Sequence, residues 1–217
     1  MNLRMEDRHT AHFWPGFADV AISLLLVFLF FLLFQFVSNS ETLKRREMLQ
    51  RQQEMKAAFL EAFKDGAYQD KVRIMENGNI QTFQFSDQIL FEPGDDRLQP
   101  IGREVLSKTF YLFQKRIPTD LETAKKQYLA IQVSGHTDRT KLSGNGKFKD
   151  NWELSTARAL AVVHFFQQQS NDEAAVIKLL SATGYSAHRP VALGADASRN
   201  RRIEIRLEYS EENPSDP

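Results

Sequence analysis

The sequence predicts a single membrane-crossing helix followed by an α+β domain, a βαβαβ sandwich, and three observations carry that prediction. The run Phe13–Val37 is 25 residues long, and from Val20 to Phe34 its only polar residue is Ser23. Farther on, Leu98, Ile101, Val105, Leu112 and Phe113, and then Leu154, Ala157, Ala161 and Phe165, recur at helical spacing. Leu129, Ile131 and Val133 alternate, as do Ile203, Ile205 and Leu207 between Glu204, Arg206 and Glu208, the pattern of strands with one covered face.

Composition narrows the function classes. The 217 residues carry 28 basic and 28 acidic side chains and 42% hydrophobic content, enough for one ordinary domain plus accessory segments. That balance argues against a nucleic-acid binder driven by phosphate contacts. The chain has no cysteine, so disulfides and thiolate metal sites are excluded and the folded part relies on its core.

Residues 1–12 form a short tail with Arg4 and Arg8 offset by Glu6 and Asp7. As a helix, Phe13–Val37 extends about 37 Å, enough for a bilayer core of about 30 Å. A cleavable signal would be shorter and followed by a small-residue cleavage site, whereas "QFVSNSETLKRRE" continues into charged helix formers, so the segment reads as an uncleaved anchor. Lys44, Arg45, Arg46 and Arg51 follow the span, and charge distribution alone would therefore keep the C-terminal part cytoplasmic. Residues 38–75 read as a helical stalk or linker. Its stripe of Met48, Met55, Phe59 and Ala62, broken by Gln52, fits a solvated connector, a pair of copies, or contact with the membrane. Asn77 and Gly78 mark the turn into a compact domain over 76–210, about 135 residues long, and 211–217 form a C-terminal tail.

Two motifs in that domain point to binding chemistry. The strand through Val133 runs into "SGHTD", setting His136, Thr137 and Asp138 at its C-terminal mouth, where loops commonly carry function. "NWELSTARA" places Arg158 four residues after Leu154, at the edge of the helix face that packs on the sheet. Asp138 and Arg158 could clamp a ligand bearing an ammonium and a carboxylate on one carbon; from pattern alone the direct reading is a salt bridge between the two. "NRRIEI" reads as a strand with basic residues at its start. The remaining candidates stay bland. His9 and His12 lack further ligands, His136 with Asp138 lacks a third, "SGNG" at Ser143–Gly146 is a loop tip, and His164 reads as a core-edge residue. No nucleophile has a base beside it, so no enzyme and no cofactor are expected.

"VSGHTD", "NWELSTARA", "GYSAHRP" and "NRRIEI", in this order, resemble OmpA-like peptidoglycan-binding domains. The resemblance implies binding of the diaminopimelate zwitterion by Asp138 and Arg158, with Thr137, Asn151, Leu154 and Arg202 as supporting positions. The loop "RTKLSGNGKFKD" is longer than in plain outer-membrane members and similar in this to MotB-type chains. "FWPGFADVAISLLLVFLFFL" is in turn similar to the span of MotB-type stator subunits, in which the aspartate takes up the translocated ion. The resemblance implies that Asp19 carries a proton or sodium ion, with Ser23 one turn along as a helper.

An ionised aspartate at bilayer depth costs about 2.5 to 3.5 kcal/mol, and a proton crossing about 150 mV supplies roughly 3.5 kcal/mol, so protonation could switch the contacts of this helix. From position alone Asp19 equally suits the first turn of a helix, where a carboxylate meets free amides. The family implies a MotA-like polytopic partner, five copies around a homodimer of this chain, with the N-terminus cytoplasmic and the C-terminal domain periplasmic at a bacterial inner membrane. The short balanced tail and compact connector more closely resemble ZorB, paired with ZorA in Zorya anti-phage defence, than flagellar subunits. A passive wall anchor without ion transport is the alternative from another class.

Overall fold

The computed structural model describes residues 13–64, 66–68, 70–142, 146–170, 174–193 and 198–211. Arg4, Arg8, His9, His12, residues 143–145 and the tail from residue 212 lie outside the described residues. The chain divides into two compact units, Met1–Arg46 and Glu47–Pro217. Helix α1 (Phe13–Ala62) begins in the first and ends in the second. Within the first unit its apolar side chains are exposed, from Trp14 through Leu24, Phe28 and Phe31 to Phe36, and α1 is long and apolar enough to cross a membrane. No glycine or proline interrupts it after Gly16, which leaves the backbone ladder unbroken.

The second unit is built on a five-stranded sheet of β1 (Val72–Asn77), β2 (Ile80–Ser86), β3 (Tyr128–His136), β4 (Leu180–Gly184) and β5 (Arg202–Tyr209), in the order β1-β2-β5-β3-β4. Only the β3–β4 pair is parallel. Among the described residues, α2 (Asp87–Leu90), α3 (Pro100–Arg116), α4 (Leu121–Gln127), α5 (Asn151–Gln168) and α6 (Ala175–Lys178) join the strands. The second unit is thus an α/β sandwich with a mixed sheet. Strand β1 falls within the stretch read as stalk, and a tight turn with Gly78 at φ 60° pairs Asn77 with Ile80.

One sheet face carries the core. Phe83, Phe85, Ile131, Val133, Ile203, Ile205 and Leu207 are buried, and the alternation through β5 holds residue by residue. Helices α3 and α5 pack over that face, with Phe110 stacked on Phe166 at 4.8 Å and Phe113 against Phe83 at 5.5 Å. Leu129 departs from the expected alternation and is exposed. It is the extra residue of a bulge, since Tyr128 pairs with Tyr209 and Ala130 with Glu208, so Tyr128 takes the inward place. His164 is exposed rather than at the core edge, because the buried stripe of α5 passes through Val162, Phe165 and Phe166.

The stripe on the later part of α1 finds its cover in the domain itself. Met48, Met55 and Phe59 are buried, and the Phe59 ring lies 4.7 Å from Phe83 and 6.0 Å from Phe85. Gln52, the polar break, makes the join specific: its side chain donates to the Gly78 carbonyl at 3.0 Å and its carbonyl accepts from Gln81 Nε2 at 2.9 Å. Tyr209 donates its hydroxyl to the Gln81 side-chain oxygen at 2.8 Å, completing a buried polar network. The stretch from Glu47 to Ala62 is therefore neither a solvated connector nor a face awaiting a second copy. An apolar stripe must be covered, and only the folded sheet decides by what.

Candidate functional site

The site forms where β3 ends and α5 begins, and two glycines allow the approach. Gly135 and Gly184 face each other across β3 and β4. A Cβ on Gly135 would run into the Ser155 backbone carbonyl, and one on Gly184 into Thr156. The first turn of α5 therefore lies directly on the strand ends. Asp150 caps that turn by accepting from the Trp152 and Glu153 amides at 2.8 and 2.9 Å. Asn151 donates to the carbonyls of Asp138 and Thr140 at 3.2 and 3.0 Å, holding the loop after β3 to the helix.

Asp138 and Arg158 do not pair with each other. Asp138 Oδ2 accepts from Arg201 Nη1 at 2.6 Å, and its Oδ1 accepts from the Thr140 amide at 2.9 Å. Arg158 Nη1 instead donates to Asp87 Oδ2 at 3.1 Å, and its Nε donates to the Asp95 carbonyl at 2.9 Å. Arg201 Nε, 3.5 Å from that same Asp87 oxygen, links the two halves. The expected direct salt bridge is thus replaced by an alternating row, Asp138–Arg201–Asp87–Arg158. Arg158 is not at the edge of its helix face but within the buried stripe, 3% exposed, with its guanidinium over the Phe91 ring at 5.2 Å. An arginine so placed requires an acid, and Asp87 supplies it.

Burial and pairing pull these groups in different directions. Burial pushes Asp138 up, but Arg201 and the Thr140 amide outweigh it and hold the carboxyl below its usual range. At Asp87 burial prevails over Arg158 and Arg201, and its carboxyl is raised. Burial lowers Arg158, which Asp87 partly offsets; a guanidinium remains charged throughout the accessible pH range.

Thr137 and Asp138 line a cleft of about 130 Å³ with Arg139, Pro190, Leu193 and Asn200. The Thr137 hydroxyl is buried without a hydrogen-bond partner among the described residues, although it lies beside this polar cleft. Leu154 is buried under the first turn of α5. Arg202 is turned to a different task, its Nε donating to Glu204 at 2.7 Å, Nη1 to the Asn200 carbonyl at 3.2 Å and Nη2 to the Arg189 carbonyl at 3.1 Å. His136 is buried and stacked on Tyr185 at 5.2 Å, and its Nε2 lies 3.6 Å from Glu204, too far for a hydrogen bond. Burial holds that imidazole below its ordinary value, while Glu204 pulls the other way. Among the described residues no group of three or more histidines and acids is placed to hold a metal ion.

Arg201 and Asp87 had not been singled out from sequence. A signal for Arg201 exists in "NRRIEI": successive side chains at a strand start diverge, so the two arginines cannot share a role. No comparable signal marks Asp87, whose partners lie 71 positions away in Arg158 and beyond that in Arg201. In the first unit, Asp19 and Ser23 are exposed one turn apart on α1.

Comparison with known proteins agrees with this architecture. The OmpA family profile matches residues 90–204. Of curated Bacillus subtilis (strain 168) proteins, uncharacterized protein YtxE is 31% identical over 143 residues, covering 64% of this chain and 52% of the relative. Motility protein B is 37% identical over 78 residues, covering 35% of this chain and 28% of the relative. The chain thus spans about half the length of the first and less of the second. A putative MotB like protein from Desulfovibrio vulgaris superposes with a TM-score of 0.62 at 27% identity, covering 76% of this chain and 98% of that one. The cell wall anchor of the T6SS from Pseudomonas aeruginosa shares the fold, with a TM-score of 0.57 at 21% identity, 70% of this chain and 97% of the other being covered. So does the periplasmic domain of Helicobacter pylori MotB, with a TM-score of 0.55 at 21% identity, 66% of this chain and 83% of that one. Behind one long apolar helix, this chain carries a MotB-like domain and belongs to the OmpA family.

Proposed function

We propose that this chain is a stator-type inner-membrane subunit, fastened to peptidoglycan by Asp138, Arg201 and Arg158 and carrying a proton or sodium ion on Asp19. The row Asp138–Arg201–Asp87–Arg158 is the observation that carries the wall-binding half. It sets the Asp138 carboxylate on the cleft beside Thr137 with Arg201 paired to it, so a ligand's ammonium can take the place of Arg201 at Asp138 while its carboxylate meets the arginine released. The amino-acid end of diaminopimelate has both groups on one carbon. Thr137 adds a hydroxyl, Asn151 fixes the loop, Leu154 seats the helix and Arg202 braces the segment after β4.

The ion-carrying half rests on Asp19 at the head of an apolar helix whose Ser23 lies one turn on. A lone span offers no second wall, so a polytopic MotA-like partner is required, with five copies around a dimer of this chain. Wall binding then demands a periplasmic C-terminal domain and a cytoplasmic N-terminus. Defence of the Zorya type is the setting favoured by the compact connector between span and domain, in a complex with a ZorA-like subunit. Flagellar motility is the second reading, favoured by the match to Motility protein B. A nuclease or helicase gene beside a MotA-like gene would indicate defence, and chemotaxis neighbours motility.

Co-sedimentation of the detergent-purified chain with isolated sacculi tests the first half. Asp138→Ala is expected to weaken pelleting about tenfold or more, the loss of a charge-assisted contact; unchanged pelleting would remove the clamp. Asp19→Asn tests the second half: the complex should assemble and hold the wall but lose ion-dependent output. Full output from Asp19→Asn would leave a passive anchor.

A further inference from the structure

A second polar cleft, of about 230 Å³, opens at the start of β1 and β5, and its described lining is rich in cations. Lys71, Arg73, Arg199, Arg201 and Arg202 contribute to it, against one acid among the described lining residues, Asp70. The sheet register explains the gathering. The Lys71 carbonyl accepts from the Ser86 amide at 2.8 Å, Ser86 pairs with Arg202, and Arg73 pairs with Gln84 two residues along β2. Two rows, separated by the Val72–Phe85–Ile203 row, therefore bring Lys71, Arg202 and Arg73 to one sheet end. Arg201 and Arg202 are balanced by Asp138, Asp87 and Glu204, but Lys71 and Arg73 form no ion pair among the described residues.

A solvated edge strand accounts for scattered lysines, which discourage edge-to-edge pairing. It does not account for cations of two strands and a loop converging on one cleft with the hydroxyls of Ser86 and Ser198 and the amide of Gln84 among them. We propose that this cleft binds a phosphate ester, its oxygens held by Lys71 and Arg73 and reached by Arg201 from the far side. Arginine forks and hydroxyl donors suit a tetrahedral oxyanion. This site shares Arg201 with the wall-binding reading, but Lys71 and Arg73 pair with neither Asp138 nor Arg158, so substituting those two tests it separately. Arg201 joins the two clefts, so removing Asp138 should release it toward the anion.

The phosphate can come from a soluble ester or from a lipid headgroup, and titration calorimetry of the full chain in neutral detergent separates them. The probes are inorganic phosphate, glycerol 3-phosphate and mixed micelles of phosphatidylglycerol, with phosphatidylcholine micelles as the neutral control. Saturable binding of the soluble probes at one site per chain, weakened at least tenfold in Lys71→Ala/Arg73→Ala, supports a soluble ester. Binding confined to phosphatidylglycerol micelles, with the same loss, supports a headgroup. No saturable binding of any probe, or binding that the double variant leaves unchanged, overturns the proposal. Unaltered sacculus pelleting and thermal unfolding of the double variant show that the loss is local, and Asp138→Ala should bind the favoured probe more tightly than the unsubstituted chain.

Discussion

The two units hold their carboxylates under opposite regimes. On the first, Asp19 stands exposed at the head of an apolar helix, and the helix around it is exposed on all sides. On the second, Asp138 pairs with Arg201, and Asp87, 7% exposed, lies between Arg201 and Arg158. An acid surrounded by apolar side chains has its character set by whatever medium encloses it. An acid inside a folded domain has its character set by partners drawn from distant sequence. The same contrast runs through α1, whose Phe28 is exposed while Phe59 lies in the core.

The contrast breaks most readily at the phenylalanines. Phe59→Ala should destabilise the domain by about 3 to 5 kcal/mol, while Phe28→Ala should leave its urea unfolding unchanged. Equal effects would mean that the segment from Glu47 is not part of the domain core. Arg158→Ala strands the Asp87 carboxylate without its main partner and should cost about 3 kcal/mol. Adding Asp87→Asn should recover part of that loss, which a purely steric role for Arg158 would not allow. Gly135→Ala drives a methyl into the Ser155 carbonyl and should cost about 2 to 3 kcal/mol, with sacculus binding falling alongside because α5 must lift from β3.

A smaller effect sharpens the electrostatic side. Burial pushes the Glu204 carboxyl up, but His136 and Arg202 outweigh it and bring it to about 2, against an ordinary 4.5. The unfolded chain therefore takes up this proton at higher pH than the folded one. The stabilisation is complete above 4.5 and is lost as pH falls toward about 2. Glu204→Gln should lower stability at neutral pH by on the order of 2 kcal/mol and flatten its fall across that window, read by urea unfolding at each pH. Asp138, also held low, adds in the same direction, whereas Asp87, held high, does not.

Much of the fold was legible because period and burial coincide. The alternation through Ile203, Ile205 and Leu207 needed no knowledge of neighbours; helical spacing also marks α3 and α5, but Leu98 precedes α3, Ile101 is exposed, and Ala157 and Ala161 are only half-buried. Leu129 misled because a bulge shifts parity by one, and a bulge belongs to a pair of strands rather than to either sequence. Strand β1 escaped notice because "VRIMEN" alternates weakly and follows a strong helical pattern. In the site, Asp138 and Arg158 stood out as polar residues where packing was expected. Asp87, which binds Arg158, carries no such signal, because its partners come from distant sequence.

The sequence by itself determined that a long apolar helix precedes an α+β domain and that Asp19 sits near the helix head, because hydropathy and periodicity are properties of contiguous residues. Tertiary structure alone decided that Met48, Met55 and Phe59 belong to the domain core and that Asp138 takes Arg201 while Arg158 takes Asp87. Those choices depend on which surfaces and charges the fold brings within contact distance. Coulomb attraction and apolar burial act through space, and spacing along the chain does not encode them.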